Sequence, residues 1–386
     1  MAAISHKKLA IVDQDTIYRE SRGMYDQITV YSNLYSTRWP EVKLTKLSSC
    51  FAKLKQLADS GYGKAYFPIS RIYRGSQGVN ADKVLERYYA ELAFNWCFDN
   101  RVLNDPEIWC DLGTLYRCGI GVENDKFLGF FWYQKAAEAG HIGGQYFCGM
   151  CYSKDWLGIC EDATKSAFWY HKSAEQGFYR AQSALANIYK SGSGVEQDYT
   201  QAAFWYRKAA EQGDEYAQFH LAEMLEYEKY DGESDDECEL IEKEIFYWYG
   251  MAAKQGLAEA QYELGSCFQY GCGVDPNSEQ AILWYLKAAE RNNTKAQVSL
   301  GRMFSLSHGS GDHETKYQDA VFWFQKAAEK NDPYGQWELG VCFWFGRGVK
   351  QNVDHAVYWF REAVNRGYPI SPEQQKRFGI ENLMDE

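Results

Sequence analysis

A pair of adjacent aromatic residues, the first always tryptophan, recurs along this chain about every three dozen residues. The intervals between successive tryptophans are 37, 36, 43, 36, 39 and 36 residues. Self-similarity at a period of roughly 20–50 residues is typical of a solenoid, in which one supersecondary unit is stacked many times. The sequence therefore predicts one repeat array rather than two or three globular domains. The pairs are Trp132-Tyr133, Trp169-Tyr170, Trp205-Tyr206, Trp248-Tyr249, Trp284-Tyr285, Trp323-Phe324 and Trp359-Phe360.

The clearest unit, residues 181–214, begins with a helical pattern. Ala181, Leu185 and Tyr189 follow one another at intervals of four, so they share one face of a helix. We number these positions 1, 5 and 9 of the first helix. Gly192 and Gly194 then predict the end of that helix, because glycine adopts a positive φ at low cost. The position-5 residues predicted to be buried are Leu112, Cys148, Leu185, Leu221, Leu264, Leu300 and Leu339.

A second helix is predicted after the glycine pair. Ala202, Trp205, Ala209 and Ala210 are expected to share its buried face. Small alanines allow the two helices to approach closely, and the tryptophan is expected to fill the space between neighbouring units. An indole ring buries a large apolar area, on the order of 150–250 Å². The tryptophan is therefore the predicted centre of each unit's core.

The order of these residues resembles the Sel1-like repeat family, which is related to tetratricopeptide repeats. One example is carried by Ala260-Gln261, Leu264-Gly265, Gly271, Gly273-Val274, Trp284-Tyr285 and Lys287-Ala288-Ala289. The resemblance covers about residues 65–368. It implies an all-α fold, a right-handed α/α superhelical solenoid of about eight helix–turn–helix repeats. It also implies an adaptor that acts within protein complexes.

Three segments are predicted along the chain. Residues 1–45 are expected to cap the open end of the stack, residues 46–370 to form the repeat array, and residues 371–386 to form a polar closing tail. An acidic stretch, residues 226–244, has ten acidic and two basic residues in the widest repeat interval. We expect it to be a solvated loop insertion.

Charge, cysteine content and hydropathy limit the partners and the location. The net charge of −12 argues against nucleic acid as the main ligand. Eleven irregularly spaced cysteines favour reduced thiols in a cytosol. The first 30 residues lack the apolar run of a secretory signal, and no stretch approaches the roughly 20 apolar residues of a membrane span. We therefore expect a cytoplasmic location and no membrane span, with an oligomeric state that the sequence does not determine.

Chemical motifs point away from an enzyme. The Gly-x-Gly sequences follow predicted helices, whereas a dinucleotide site needs a preceding strand and a third glycine. The histidines do not stand in a recognisable nucleophile motif. Cys148, Cys151, Cys160 and His141 are compatible with zinc, but Cys148 takes the place of a core leucine, which favours small buried thiols. No catalytic residue, metal ligand or cofactor is predicted.

The outward side of the first helices is the predicted partner-binding surface. Positions 3, 7 and 10 point away from positions 1, 5 and 9. In a superhelix of this kind that side lines the concave groove, and an apolar, aromatic series there is typical of a contact site. An alternative is that the curvature of the array tucks these side chains against the adjacent repeat. The predicted partner-binding residues are Tyr146, Phe219, Tyr262, Trp337 and Trp344.

Taken together, these features favour a non-enzymatic scaffold or adaptor that binds a partner protein or peptide in the concave groove. Two alternatives stay open. One is an immunity or inhibitor protein that neutralises a toxin or an enzyme. The other is a bacterial effector that engages host proteins. A neighbouring toxin gene would favour the first, and secretion without a signal sequence would favour the second.

Overall fold

The structure is a computed structural model that describes residues 14–22, 41–75, 81–153, 161–230, 235–306 and 313–378. The chain divides into two compact units, Met1–Ala217 (unit 1) and Gln218–Glu386 (unit 2). The helices are α1 (residues 14–22), α2 (Glu41–Asp59), α3 (Tyr66–Tyr73), α4 (Lys83–Asn100), α5 (Pro106–Cys118), α6 (Lys126–Glu138), α7 (Ile142–Tyr152), α8 (Ala163–Glu175), α9 (Tyr179–Ser191), α10 (Tyr199–Glu211), α11 (Glu215–Tyr230), α12 (Asp235–Gln255), α13 (Ala258–Tyr270), α14 (Ser278–Glu290), α15 (Thr294–Leu306), α16 (His313–Glu329), α17 (Pro333–Phe345), α18 (Val353–Asn365) and α19 (Pro372–Phe378).

Helices α3 to α18 are arranged as successive pairs, each made of a first and a second helix. In seven of these pairs the two helices pack extensively on each other, and in the pair of α11 with α12 the Phe219 ring lies 5.7 Å from the Tyr249 ring. Six second helices also pack on the first helix that follows them, namely α4, α6, α8, α12, α14 and α16. Across the described residues this gives eight pairs, from α3 with α4 to α17 with α18. The predicted all-α repeat fold is therefore confirmed, and every predicted position-5 anchor is at most 2% exposed.

The centre of most pairs is a contact between a glycine and an aromatic ring. The glycine stands at position 6 of the first helix, and the ring is the second member of each tryptophan–aromatic pair. A methyl group added to the glycine would lie less than 3.0 Å from the ring. Glycine therefore determines how closely the two helices approach. The pairs are Gly113 with Tyr133, Gly149 with Tyr170, Gly265 with Tyr285, Gly301 with Phe324, and Gly340 with Phe360.

The burial of the second helices differs from the core that the sequence predicts. Tyr206 is fully buried, whereas Trp205 keeps part of its surface accessible. Ala202, Tyr206 and Ala209 are separated by four and three residues, so they form one buried stripe, and Trp205 lies at its flank. The residue after each tryptophan, rather than the tryptophan itself, is the main core residue of the repeat.

A buried glutamine at position 2 joins successive repeats. Its side-chain amide donates to the carbonyl of an alanine eight residues earlier, at the end of the preceding second helix. The donor–acceptor distance is 3.2 Å for Gln182 to Ala174 and 3.1 Å for Gln297 to Ala289. The same bond is made by Gln145, Gln261 and Gln336.

The two glycines of a Gly-x-Gly sequence have different structural roles: the first ends the helix, and the second lies against the preceding repeat. Gly192 ends α9 with a φ of 71°, as the sequence predicts. Gly194 also has a positive φ, and a methyl group on it would lie less than 3.0 Å from the backbone of Ala163 in the preceding second helix. The second glycine therefore permits the turn to approach the previous repeat.

The acidic stretch is not the loop insertion that its composition suggested. Helix α11 continues to Tyr230 and α12 begins at Asp235, so most of residues 226–244 is helical. Glutamate is a good helix former, and acidic residues in the first turn of α12 interact favourably with the helix dipole. Glu226 also accepts a hydrogen bond of 3.0 Å from the buried Tyr249. Residues 231–234 lie outside the described residues.

The structure has helices at both predicted ends of the array, and the boundaries themselves stay predictions. The boundary at residues 45 and 46 falls inside α2, which runs without a break from Glu41 to Asp59. The expected polar tail begins with α19, whose Phe378 is only 5% exposed. An aromatic residue in a short polar helix was sufficient to bring this segment onto the last repeat, because burial of a phenylalanine ring is strongly favourable. Residues 379–386 lie outside the described residues.

The glycine–ring contact makes a testable prediction. We expect Gly301→Ala to destabilise the protein by about 1–3 kcal/mol, because the added methyl group overpacks the Phe324 ring. Gly250→Ala is the matched control, since nothing lies within 4 Å of its added methyl group in α12. That change is expected to stabilise the protein by up to about 1 kcal/mol through helix propensity. Urea unfolding followed by circular dichroism measures both, and equal effects would contradict the glycine–ring argument.

Candidate protein-binding face

The first helices present a recurrent outward surface, which we call the first-helix face and define by positions 0, 3, 4 and 7. Among the predicted binding residues, the aromatic side chains at position 3 are Tyr146, Phe219, Tyr262 and Trp337. Each lies against the buried ring of its own repeat's second helix, with ring centroids 4.6 to 5.7 Å apart. Tyr146, Phe219 and Tyr262 are partly buried. The structure therefore brings position 3 closer to the core than the sequence pattern indicates.

The expected exposure of Trp337 is wrong, since this side chain is only 4% exposed. Its indole stacks on Tyr368 at 4.5 Å and meets the edge of Phe378 at 5.5 Å between ring centroids. Trp344, at position 10, keeps part of its surface accessible while packing on Phe378 at 5.4 Å. Helix α19 covers Trp337, which the spacing within the repeats does not reveal.

Trp337 and Trp344 are therefore predicted to differ in their effect on stability. We expect Trp337→Ala to lower the free energy of unfolding by about 3–5 kcal/mol, the usual cost of removing a buried aromatic side chain. Trp344→Ala is expected to cost clearly less, because its ring is only partly buried. Hydrogen exchange of the α17 and α18 amides checks the difference. An unchanged exchange pattern in Trp337→Ala would show that the indole is not a core element.

A cavity of about 300 Å³ opens on the first-helix face of unit 2, beside the predicted binding residue Tyr262. Helices α13 and α15 and the start of α17 form its walls. The cavity combines two tyrosines with charged groups of both signs, an arrangement suited to a polar protein segment with an aromatic anchor. Its lining residues are Tyr262, Glu263, Lys295, Val298, Ser299, Arg302, Asp332 and Tyr334.

The carboxyl group of Glu263 is the most perturbed acid of this cavity. Burial, together with the nearby carboxylates of Glu226 and Glu223, raises its pKa to about 7, although Lys295 acts in the opposite direction. Within the described residues Glu263 has no hydrogen-bond or ion-pair partner. Arg302, by contrast, pairs with Glu338 at 2.8 Å. The cavity therefore contains an acid whose charged form is destabilised and which a cation would stabilise.

The raised pKa predicts a pH-dependent effect of Glu263→Gln. Folded Glu263 keeps its proton up to about pH 7, while the unfolded chain loses it near the ordinary value of 4.5. The folded state therefore loses stability as pH rises from about 4.5 to 7, and the loss is complete above that range. We expect Glu263→Gln to stabilise the protein at pH 8 by roughly 1–3 kcal/mol, with little effect at pH 4.5. Urea unfolding at the two pH values measures this, and a pH-independent difference would refute the assignment.

Helix α1 covers the first-helix face of unit 1 at α5. Tyr18 is 2% exposed, lies 5.4 Å from the Tyr62 ring, and its hydroxyl donates to Glu107 at 2.9 Å. Arg22, one helical turn later, donates to the Tyr18 hydroxyl at 3.0 Å and pairs with Asp111 at 3.3 Å. Asp111 and Glu107 stand at positions 4 and 0 of α5. A helical segment can therefore dock on this face through an aromatic residue and an arginine.

The family comparison is decisive for the fold. The Sel1 repeat matches residues 110–141, 143–178, 180–214, 246–257, 258–293, 294–332 and 333–368, which is more than half of the chain. The chain belongs to the Sel1 repeat family. Sel1 repeat proteins generally act as protein-interaction scaffolds rather than as enzymes. A comparison with curated proteins gives no match.

Solved structures agree with this Sel1 repeat assignment. A protective antigen present in uropathogenic Escherichia coli strains, displaying an SLR fold, is 28% identical, with a TM-score of 0.66 over 95% of this chain and 82% of the other. A Sel1 repeat protein from Oxalobacter formigenes is 27% identical, with a TM-score of 0.52 over 64% and 94%. An immunity protein from Pseudomonas aeruginosa is 17% identical, with a TM-score of 0.35 over 58% and 82%, a likeness too low to carry an argument.

The Sel1 repeats also present exposed apolar residues on their second helices, which the sequence reasoning missed. The residue before each tryptophan is aromatic or leucine, and its exposed fraction is between 48% and 54% in all seven repeats. The signal was present in the sequence, because an apolar residue occurs at the same place every time. The residues are Phe131, Phe168, Phe204, Tyr247, Leu283, Phe322 and Tyr358.

The residues compatible with zinc in the sequence are core or helix-capping residues in this Sel1 repeat array where the structure describes them. Cys148 and Cys151 are buried, and burial raises the pKa of the Cys151 thiol to about 12. The Nδ1 atom of His141 accepts a hydrogen bond of 3.1 Å from the Gly144 N–H at the start of α7. Cys160 lies outside the described residues. In the described ranges no group of three or more histidine, cysteine, aspartate or glutamate side chains is arranged to hold a metal ion.

None of the helices in the described part of the chain is both long and apolar enough to cross a membrane.

Proposed function

We propose that this Sel1 repeat protein is a non-enzymatic scaffold that binds a segment of a partner protein on its first-helix face. The observation that carries the proposal is the cavity beside Tyr262, which places two tyrosines and four charged side chains around one opening. Anchoring pockets of this composition concentrate binding energy in a few residues. The family assignment supports the same class of function.

Four of the five residues predicted from the sequence remain in this proposal. Tyr146, Phe219, Tyr262 and Trp344 keep accessible surface through which a partner can contact them. Trp337 is proposed to act indirectly, by holding the end of the array in shape. The inhibitor and effector alternatives, and the cytoplasmic location, stay predictions.

The test is site-specific photo-crosslinking in cells of the natural source. A photoreactive amino acid replaces Ser299 in the cavity, and the matched control replaces Leu283 on the second helix α14, which is 50% exposed. We expect one protein to be cross-linked in high yield from position 299 and not from position 283. Adding Tyr262→Ala and Tyr334→Ala to the position-299 protein is expected to abolish the cross-link.

Cross-linking from position 283 alone would refute the first-helix face and assign binding to the exposed apolar residues of the second helices. Equal cross-linking of many proteins from both positions would argue against a specific scaffold. Circular dichroism of the double tyrosine variant verifies that its fold is retained, since Tyr334 is 45% exposed and Tyr262 is only partly buried.

A further inference from the structure

Helix α1 in unit 1 shows which kind of segment the first-helix face can hold. Tyr18 and Arg22 are four residues apart, so their side chains leave the same face of α1. Tyr18 is buried between Tyr62 and Glu107, and the Arg22 guanidinium reaches Asp111 and lies 5.7 Å from the Phe67 ring centroid. The docking elements are therefore one aromatic ring and one cation at a spacing of i and i+4.

The acid that receives this cation recurs in unit 2. Asp111 stands at position 4 of α5, directly before the anchor Leu112, and Glu263 stands at position 4 of α13, directly before the anchor Leu264. Both carboxylates therefore have the same place on their repeats. They differ in their partners, because Asp111 is paired with Arg22 while Glu263 has no partner within the described residues.

Charge around the cavity of unit 2 favours a cation. Glu223, Glu226, Glu263, Asp332 and Glu338 are carboxylates, against the two cations Lys295 and Arg302. The ion pair with Glu338 offsets the charge of Arg302, and Glu223 lies 2.7 Å from His220. A cation that reaches Glu263 would form a charge-assisted hydrogen bond in a partly desolvated site, where such bonds are strong.

A lysine beside the carboxylate does not prevent such docking. In unit 1, Lys64 lies 2.8 Å from Asp105 and 3.3 Å from Glu107, and Arg22 nevertheless docks on the same face. Lys295 lines the unit 2 cavity, where its Nζ lies 5.9 Å from the Tyr262 ring centroid. The two tyrosines of the cavity supply ring faces and edges for an aromatic side chain.

We propose that the cavity of unit 2 binds a helical segment of a partner protein that carries an aromatic residue followed four residues later by arginine or lysine. The aromatic side chain enters between Tyr262 and Tyr334, and the cation pairs with Glu263. This inference rests on the proposed function and gives the chemistry of the partner segment. Other occupants, such as α1 of a second copy, are outcomes of the test below.

The experiment uses three fluorescent, alanine-rich peptides and the full chain. Each peptide has about 16 residues, because shorter isolated helices are marginal in water. The first carries tyrosine and arginine at i and i+4, the second has glutamine in place of that arginine, and the third has the arginine moved to i+2, which faces another side of the helix. Fluorescence anisotropy gives the dissociation constant of each peptide at pH 7.5. We expect the first to bind about tenfold more tightly than the other two.

Two protein variants locate the site. Glu263→Gln is expected to weaken the first peptide about tenfold and to leave the glutamine peptide unchanged, so that the two substitutions are not additive. Asp111→Asn is the matched control and is expected to have no effect on any peptide. Since Glu263→Gln is expected to raise stability, weaker binding by this variant cannot be attributed to unfolding.

Three results would overturn the proposal. Equal affinity of the three peptides, or no binding by any of them, would remove the aromatic–cation requirement. Loss of binding in Asp111→Asn rather than in Glu263→Gln would show that the peptide replaces α1 in unit 1, as α1 of a second copy would do. Each of these results leaves the photo-crosslinking outcome at position 299 untouched, so failure of this inference is distinguishable from failure of the proposed function.

Discussion

The close contact between a position-6 glycine and an aromatic ring determines how the repeats of this protein are built. It allows the first and second helices of a pair to approach until the ring lies directly on the helix backbone. The ring then buries a large apolar surface in each repeat, while the tryptophan beside it covers the flank. With the core concentrated in these contacts, the outer sides of both helix sets are available for other molecules.

The two sets of outer surfaces differ in chemistry. The second helices repeat one exposed apolar side chain per unit, whereas the first helices combine aromatic side chains with acids and bases that vary from repeat to repeat. A varied surface can distinguish among partners, because wrong partners leave charges unpaired. This contrast is the physical reason for assigning specific recognition to the first-helix face. The cavity beside Tyr262 is the place where that variation produces a concave site.

Much of the fold follows from local spacing, and what does not follow depends on distant segments. The position-5 anchors and the glycines that end α5, α9, α13 and α17 were predictable, because periodicity and turn chemistry are local. Ring size favours Trp205 as the core residue, whereas helical register buries Tyr206. Acidic composition favours a loop between α11 and α12, whereas the helix propensity of glutamate extends both helices. Trp337 is buried by Phe378, 41 residues later in the chain, and Glu263 owes its raised pKa first to burial and then to two carboxylates of the preceding repeat.

The buried glutamines have a consequence for how such an array changes in length during evolution. At five junctions the side-chain N–H of the glutamine donates to a carbonyl of the preceding repeat, so each of these junctions carries one buried donor that only a correctly registered neighbour can pair. Removing part of a repeat would leave a buried amide N–H without its acceptor and lower the free energy of unfolding by about 1–3 kcal/mol. Removing a whole repeat restores an equivalent junction. The array can therefore gain or lose units by duplication and deletion of complete repeats. Insertions or deletions of part of a repeat are disfavoured, because they leave the glutamine side chain without its acceptor.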